Sequence, residues 1–344
     1  MLRADGLHKM SLAYYAVAPD LTISVRTKKA PQLLASMYGP ETQGDDAELT
    51  LDLTGGNEGH DPGNGHGTSV GSTALGVYKV VPWSCSLSRA DDGRWTLGFK
   101  SIAMREYLAM HIALLPALRL LLTARKVALI SGAAFTNDGT ATILAGPTGT
   151  GKTSLLLGAL QGGAHFVGDE YVGLSGDEGV SPIARSLALR YATLALAPEA
   201  GERLSGRRRV ALRMAELVST ATRARLEPLS HLRPEDLGLQ VAKGPANVRR
   251  IVWLEAVDVD QAPRLEPMSS EEMVRQLALR QAVHQVAYGD ITPFLEAFAG
   301  CEDAAAGWRR TLAEGLANVE CLRLTFARSG LPKALDLLLA GAGS

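Results

Sequence analysis

One stretch limits the folds open to this chain more than any other: Ile143-Leu144-Ala145-Gly146-Pro147-Thr148-Gly149-Thr150-Gly151-Lys152-Thr153-Ser154-Leu155-Leu156-Leu157. An apolar run, a glycine-rich turn and a second apolar run read as strand, loop and helix. Glycine, four residues, then Gly-Lys-Thr is the spacing of a loop that holds phosphate. Each position has a physical task. Gly146, Gly149 and Gly151 let the backbone bend and approach phosphate oxygens, while successive N–H groups and the positive end of a helix opening near Lys152 attract an anion. Lys152 supplies a point charge that reaches the β- and γ-phosphates, and the Thr153 hydroxyl can join the coordination shell of magnesium. Pro147, Thr148, Thr150 and Ser154 complete the binding segment. A glycine-rich turn with an incidental Lys-Thr would carry the same letters, but the flanking apolar strand and helix are the context that a phosphate loop requires.

The surrounding text suits that loop. Residues 127–134, 141–145 and 165–167 read as short apolar strands among helices, the alternation of a mixed or parallel sheet with helices packed on it. Ala164-His165-Phe166-Val167-Gly168-Asp169-Glu170 then sets two adjacent acids at the end of a strand, one helix downstream of the loop, at the sheet edge where ligands collect. Phosphoryl transfer needs such carboxylates for a metal, and a base where a hydroxyl is the acceptor. The expected fold is therefore α/β, with a nucleotide-binding domain over residues 101–344 preceded by a small β-rich unit over residues 1–100. In that unit, residues 21–25 and 49–53 alternate as half-buried strands do, and residues 30–38 have helical spacing ended by Gly39-Pro40. Residues 55–73, crowded with Gly, Asn, His, Ser and Thr, read as a flexible loop in which His60 and His66 are polar filler rather than metal ligands. Residues 104–125 predict a helix kinked at Pro116, and the last zone predicts a strand at 250–254, a helix at 269–286, a strand at 320–325 and a terminal helix.

Composition narrows the partners. Lys plus Arg at 35 against Asp plus Glu at 36 gives a net charge of −1, so no global field recruits nucleic acid or an anionic membrane surface. Cys85, Cys301 and Cys321 lack paired spacing and read as reduced thiols. The most apolar run, residues 109–124, is interrupted by His111, Pro116 and Arg119 and reads as too short and polar to span a bilayer. The first residues lack the apolar core of a secretory signal, so a cytoplasmic protein is expected. Trp83, Trp95, Trp253 and Trp308 show no stacking pattern and are assigned to the core.

Residues 146–154, with Gly163 and Gly168-Asp169-Glu170, resemble the nucleotide-binding core of the HPr kinase/phosphorylase superfamily, to which phosphoenolpyruvate carboxykinase is related. Ile130-Ser131-Gly132-Ala133-Ala134-Phe135 followed by Gly139-Thr140-Ala141 is similar to the strand that precedes the loop in that family. Pro182-Ile183-Ala184-Arg185-Ser186-Leu187-Ala188-Leu189-Arg190, residues 251–254 and residues 263–272 look like the downstream elements of HPr-kinase-related enzymes of bacterial biosynthetic clusters. The likeness spans roughly residues 127–272, and within it the loop and the acidic pair are the specific parts.

The resemblance implies a mixed-sheet kinase core that uses ATP and Mg2+ to phosphorylate a serine-type hydroxyl on a peptide, a protein or a small molecule. Asp169 matches the family's proton acceptor or metal contact, and Glu170 stands where the family usually has aspartate and would hold magnesium directly or through water. Ser131 stands where bifunctional members carry a histidine, so phosphorylase activity is not implied. Family members are often hexamers, which implies a homo-oligomer. Arg185, a further catalytic candidate, and Arg190 follow the acidic strand and could stabilise charge on the phosphoryl group; Arg207, Arg208 and Arg209 could cover the nucleotide or grip an acidic peptide, and Lys243-Gly244-Pro245 could form a lid. GTP or pyrophosphate as donor, and a slow ATPase acting as a switch, stay open. A carboxykinase-like lyase would need further His and Lys ligands before the loop, which the chain lacks.

Overall fold

The computed structural model describes residues 11–18, 21–27, 31–38, 42, 47–54, 72–78, 81–221, 230–288, 291–299 and 303–340. The chain divides into two compact units, one of Met1–Leu120 with Val283–Ala304 and the other of Leu121–Ala282 with Ala305–Ser344.

The first unit contains β1 (Ser11–Ala18), β2 (Leu21–Thr27), α1 (Gln32–Tyr38), β3 (Leu49–Asp52), β4 (Ser72–Tyr78), β5 (Val81–Arg89) and β6 (Trp95–Ser101). The strands form one sheet in the order β1-β2-β3-β6-β5-β4, parallel at β2/β3 and β3/β6 and antiparallel elsewhere. Period-2 alternation decides which side is dry: Trp95, Leu97 and Phe99 are buried while Thr96, Gly98 and Lys100 are half-buried. Of the stretch read as a loop at 55–73, residues 55–71, with His60 and His66, lie outside the described residues. Ser72 and Thr73 are not loop but the opening of β4, an edge strand whose Leu75 and Val77 stay exposed. Cys301 also lies outside the described residues.

The helix expected at 104–125 runs as α2 (Arg105–Leu108), a π turn at Ala109–Leu114 and α3 (Leu115–Ala124). Pro116 has no N–H to give to a carbonyl one turn back, and the ladder absorbs that loss in the wider turn just before it. The helical segment Arg105–Ala124 is longer than its apolar run alone and could cross a membrane by length and composition. Within its most apolar window, 67% is buried inside the protein, as in a core helix.

The second unit is α/β. It holds β7 (Val127–Asn137), β8 (Thr140–Ala145), α4 (Lys152–Gln161), β9 (His165–Gly168), β10 (Tyr171–Ser175), β11 (Gly179–Pro182), β12 (Leu187–Leu189), α5 (Pro198–Arg203), α6 (Gly206–Ala221), β13 (Ser230–Leu232), β14 (Asn247–Val257), β15 (Arg264–Pro267) and most of α7 (Ser270–Tyr288). After α8 (Thr292–Ala299) in the first unit come α9 (Ala304–Gly315), β16 (Glu320–Ala327) and α10 (Leu331–Ala340). The main sheet runs β11-β10-β7-β8-β14-β16-β15, with β9 against the second half of β7. It is mixed: β8, β14 and β16 are parallel, whereas β7 and β8 form a hairpin. That hairpin turns through Asp138 and Gly139, both with positive φ, the geometry that matches the right-handed twist of the strands it joins.

Helices cover both faces of this sheet, which is why residues 251–254 of β14 are apolar without alternation. Ile251 and Trp253 pack with Met273 and Leu277 of α7 and with Trp308 and Leu312 of α9. Val252 and Leu254 point the other way, to residues 155–157 of α4 and to Ala334 and Leu338 of α10. All four tryptophans are buried, as expected. Arg250, only 1% exposed, donates from Nε to Thr142 Oγ1 at 3.1 Å and from Nη2 to the Leu338 carbonyl at 2.7 Å, tying β14 to β8 and to the end of α10.

Candidate functional site

Strand β8 delivers the chain to Gly146, and α4 begins at Lys152, so the glycine-rich loop stands at the carboxyl end of a parallel strand. The backbone needs glycine at two points in particular. Gly146 has φ +145, and a Cβ there would lie 2.7 Å from the Leu254 carbonyl; Gly151 has φ +88, and its Cβ would lie 2.9 Å from Leu331 Cδ2. Lys152 folds back over the loop, its Nζ donating to the carbonyls of Gly146 and Pro147 at 2.8 Å each. Burial, with the Arg280 guanidinium adding to it, lowers the Lys152 ammonium to about 8 against the opposing pull of Asp169 and Glu170.

The acidic pair occupies a break in the sheet edge. Both β9 and β10 pair antiparallel with β7, one after the other, and Asp169-Glu170 is the kink between them. Glu170 takes φ +66, uncommon for a residue with a side chain, and its carbonyl still accepts the Gly132 N–H at 3.0 Å, so the kink is built into the ladder. Asp169 is 1% exposed. Its carboxylate accepts the Ala188 N–H and the Glu170 N–H, each at 3.0 Å, and lies 3.1 Å through either oxygen from Thr153 Oγ1, which donates to it. Burial pushes its pKa up, opposed by those hydrogen bonds and by Lys152. Glu170 is pushed up to about 8, by burial first and by the neighbouring Asp169 charge second.

The structure thus brings Lys152, Thr153, Asp169 and Glu170 to one corner. Ser154 is buried on α4. Arg185 is exposed and makes no hydrogen bond or ion pair among the described residues. Arg190 opens a short 3-10 turn. Arg207, Arg208 and Arg209 lie exposed on α6, where Arg208 pairs with Asp236 at 3.1 Å. The lid expected at Lys243-Gly244-Pro245 is corrected by strand register. Asn247, just after it, pairs with Thr140, whereas the loop end of the same ladder is Trp253 opposite Ala145. That interval of strand, roughly 17–20 Å, puts the turn at the far end of the sheet, where it lines a cavity of about 700 Å³ with Thr136, His165 and Asn247.

Three residues at the site escape a reading of the sequence. His231, on β13 in a two-stranded sheet with β12, places Nδ1 3.8 Å from Glu170 Oε2 and 3.3 Å from Ser186 Oγ; burial lowers it to about 4, so at neutral pH this is a contact with a neutral ring rather than an ion pair. Arg280 of α7 donates from Nη2 to Thr148 Oγ1. Arg328, after β16, donates from Nη1 to the Gly149 carbonyl at 3.2 Å. None lies in a local motif; only chain crossings seen in three dimensions bring them here.

The donor set fits magnesium bound with a nucleotide. Thr153, Asp169 and Glu170 offer hard oxygen ligands, and a buried and a half-buried carboxylate side by side, both raised, are a pair whose charge a divalent cation would neutralise. Among the described residues no group of three or more His, Cys, Asp or Glu side chains could hold a metal by themselves. No protein-family model matches the chain, and no curated protein matches it.

Proposed function

We propose that this chain is an ATP-dependent phosphotransferase, with the mixed-sheet core of the HPr-kinase-like enzymes, that moves the γ-phosphoryl group to a serine-type hydroxyl of a peptide or protein in the cytoplasm. The observation that carries the reading is the hydrogen bond from Thr153 to Asp169, which joins the glycine-rich loop to the acidic pair inside one buried corner. In this reading residues 146–154 hold the phosphate chain through backbone N–H groups, and Lys152 exchanges the Gly146 and Pro147 carbonyls for phosphate oxygens. Thr153, Asp169 and Glu170 would hold Mg2+, which supplies charge neutralisation on the phosphates when bound. Asp169 is held still by the amides of Glu170 and Ala188, so a hydroxyl brought beside the pair meets a carboxylate of fixed position. As the hydroxyl oxygen bonds to the γ-phosphorus and the bond to the leaving diphosphate oxygen breaks, its proton passes to that carboxylate. Arg185, exposed and without a partner among the described residues, is free to offer its guanidinium to the phosphoryl group in transit.

The test is incubation of the purified chain with labelled ATP, magnesium and peptides or metabolites encoded by or made from neighbouring genes, with GTP and pyrophosphate as competing donors. Label on an acceptor is expected, lost in Lys152→Ala and lost in Asp169→Asn with nucleotide binding retained. Phosphate release with no labelled acceptor would instead mark a slow ATPase acting as a switch, and undiminished turnover in Lys152→Ala would contradict the site.

A further inference from the structure

Arg280 reaches the glycine-rich loop from α7, a helix far downstream in the sequence. Its Nη2 donates to Thr148 Oγ1, while its Nε is buried and has no hydrogen-bond partner. These two N–H groups form one edge of the guanidinium fork, the edge that matches two oxygens of a phosphate side by side. In the structure that edge is half used, on a hydroxyl that could readily exchange it.

The charge is also unmatched. Arg328, the other guanidinium on this loop, donates from Nε to Asp258 Oδ1 at 2.9 Å and so carries its own counter-ion. Among the described residues Arg280 has no such carboxylate. It stands close enough to Lys152 to weaken that group's hold on its proton, and the Lys152 ammonium sits on the carbonyls of Gly146 and Pro147, immediately before Thr148. Two like charges held together, one with an idle buried N–H, are unfavourable. An anion lying in the loop would match both.

We propose that Arg280 is a phosphate-binding residue that grips the terminal phosphoryl group of a bound nucleoside triphosphate, with the Thr148 hydroxyl as its resting partner. The position along the phosphate chain follows from Lys152: the loop backbone serves the inner phosphates and the lysine the outer ones, so a second cation beside the lysine stands at the outer end. The inference rests on the phosphotransferase reading of the loop and adds to it a means of telling triphosphate from diphosphate.

The experiment is calorimetric titration of the full chain with magnesium and either the non-hydrolysable triphosphate adenylyl imidodiphosphate or ADP. Arg280→Ala should weaken the triphosphate about tenfold or more while changing ADP far less, as expected for loss of a two-pronged charged hydrogen bond. Equal losses for both nucleotides in Arg280→Ala would mean that this arginine merely props the loop and would overturn the assignment. If Arg280→Ala does not fold, Arg280→Lys keeps the charge without the fork and should still lose triphosphate preference; wild-type preference in that variant refutes the proposal. A wild-type chain that binds neither nucleotide removes the phosphotransferase reading and this inference together, whereas wild-type binding matched by Arg280→Ala removes the inference alone.

Discussion

Replacing Glu170 by Gln should make the protein more stable at neutral pH even as it harms the proposed site. Glu170 titrates near 4.5 in an unfolded chain and at about 8 in the fold, because burial and the Asp169 charge disfavour its ionised form. Between those values the folded protein binds a proton that the unfolded chain has released, so stability falls as pH rises, by ~1.4 kcal/mol per pH unit. His231 works in the opposite sense, since burial lowers it from 6.5 to about 4 and stability rises with pH across that span. The two nearly cancel below pH 6.5. From pH 6.5 to 8 only Glu170 of this pair still acts, and wild type should lose about 2 kcal/mol there. Lys152 enters above that, its stabilising trend running from about 8 toward 10.5, so the corner is under greatest electrostatic stress near pH 8. The assay is the denaturant midpoint of wild type and Glu170→Gln at half-unit steps from pH 6.5 to 8, without nucleotide or divalent metal. The wild-type midpoint should fall and the variant's should hold, the gap widening with pH. A flat wild-type profile, or a variant that falls in parallel, would refute the assignment of the decline to this carboxylate.

Two structural predictions follow from packing. Gly146→Ala should cost about 1–3 kcal/mol, because its φ of +145 and the Leu254 carbonyl 2.7 Å away leave no room for a Cβ; thermal melting of the variant measures this, and an unchanged melting temperature would show that the β8 exit is looser than described. Arg250→Met should destabilise by about 2–4 kcal/mol, since it strands the Leu338 carbonyl and the Thr142 hydroxyl in the core; full stability would show that the buried guanidinium contributes nothing net.

The sequence made the loop legible because its chemistry is local: glycines, Lys152 and Thr153 are neighbours, and the apolar runs on either side fix strand and helix. The acidic pair was legible by position, one helix and one strand further on. What lay beyond reach depended on register and on distant segments. Nothing near Lys243 says which end of the sheet it serves; the pairing of Asn247 with Thr140 decides that. His231 and Arg280 arrive at the site through β13 and α7, elements with no motif of their own. Strand β4 was hidden because an exposed edge needs little apolar patterning, and Ser72 and Thr73 looked like the tail of a polar loop. The Asp138-Gly139 turn carries the chemistry of a tight hairpin, yet the sequence reading passed over it and the structure supplied it.

The short ribbon of β12 and β13 pairs with no strand of the main sheet, yet its Ala188 amide grips Asp169 and its His231 ring borders Glu170. The ribbon and the two acids cannot shift separately: a displacement of one tightens or slackens the grip on the other. Grafting a foreign segment into this ribbon would therefore retune the acids without altering a residue of the glycine-rich turn.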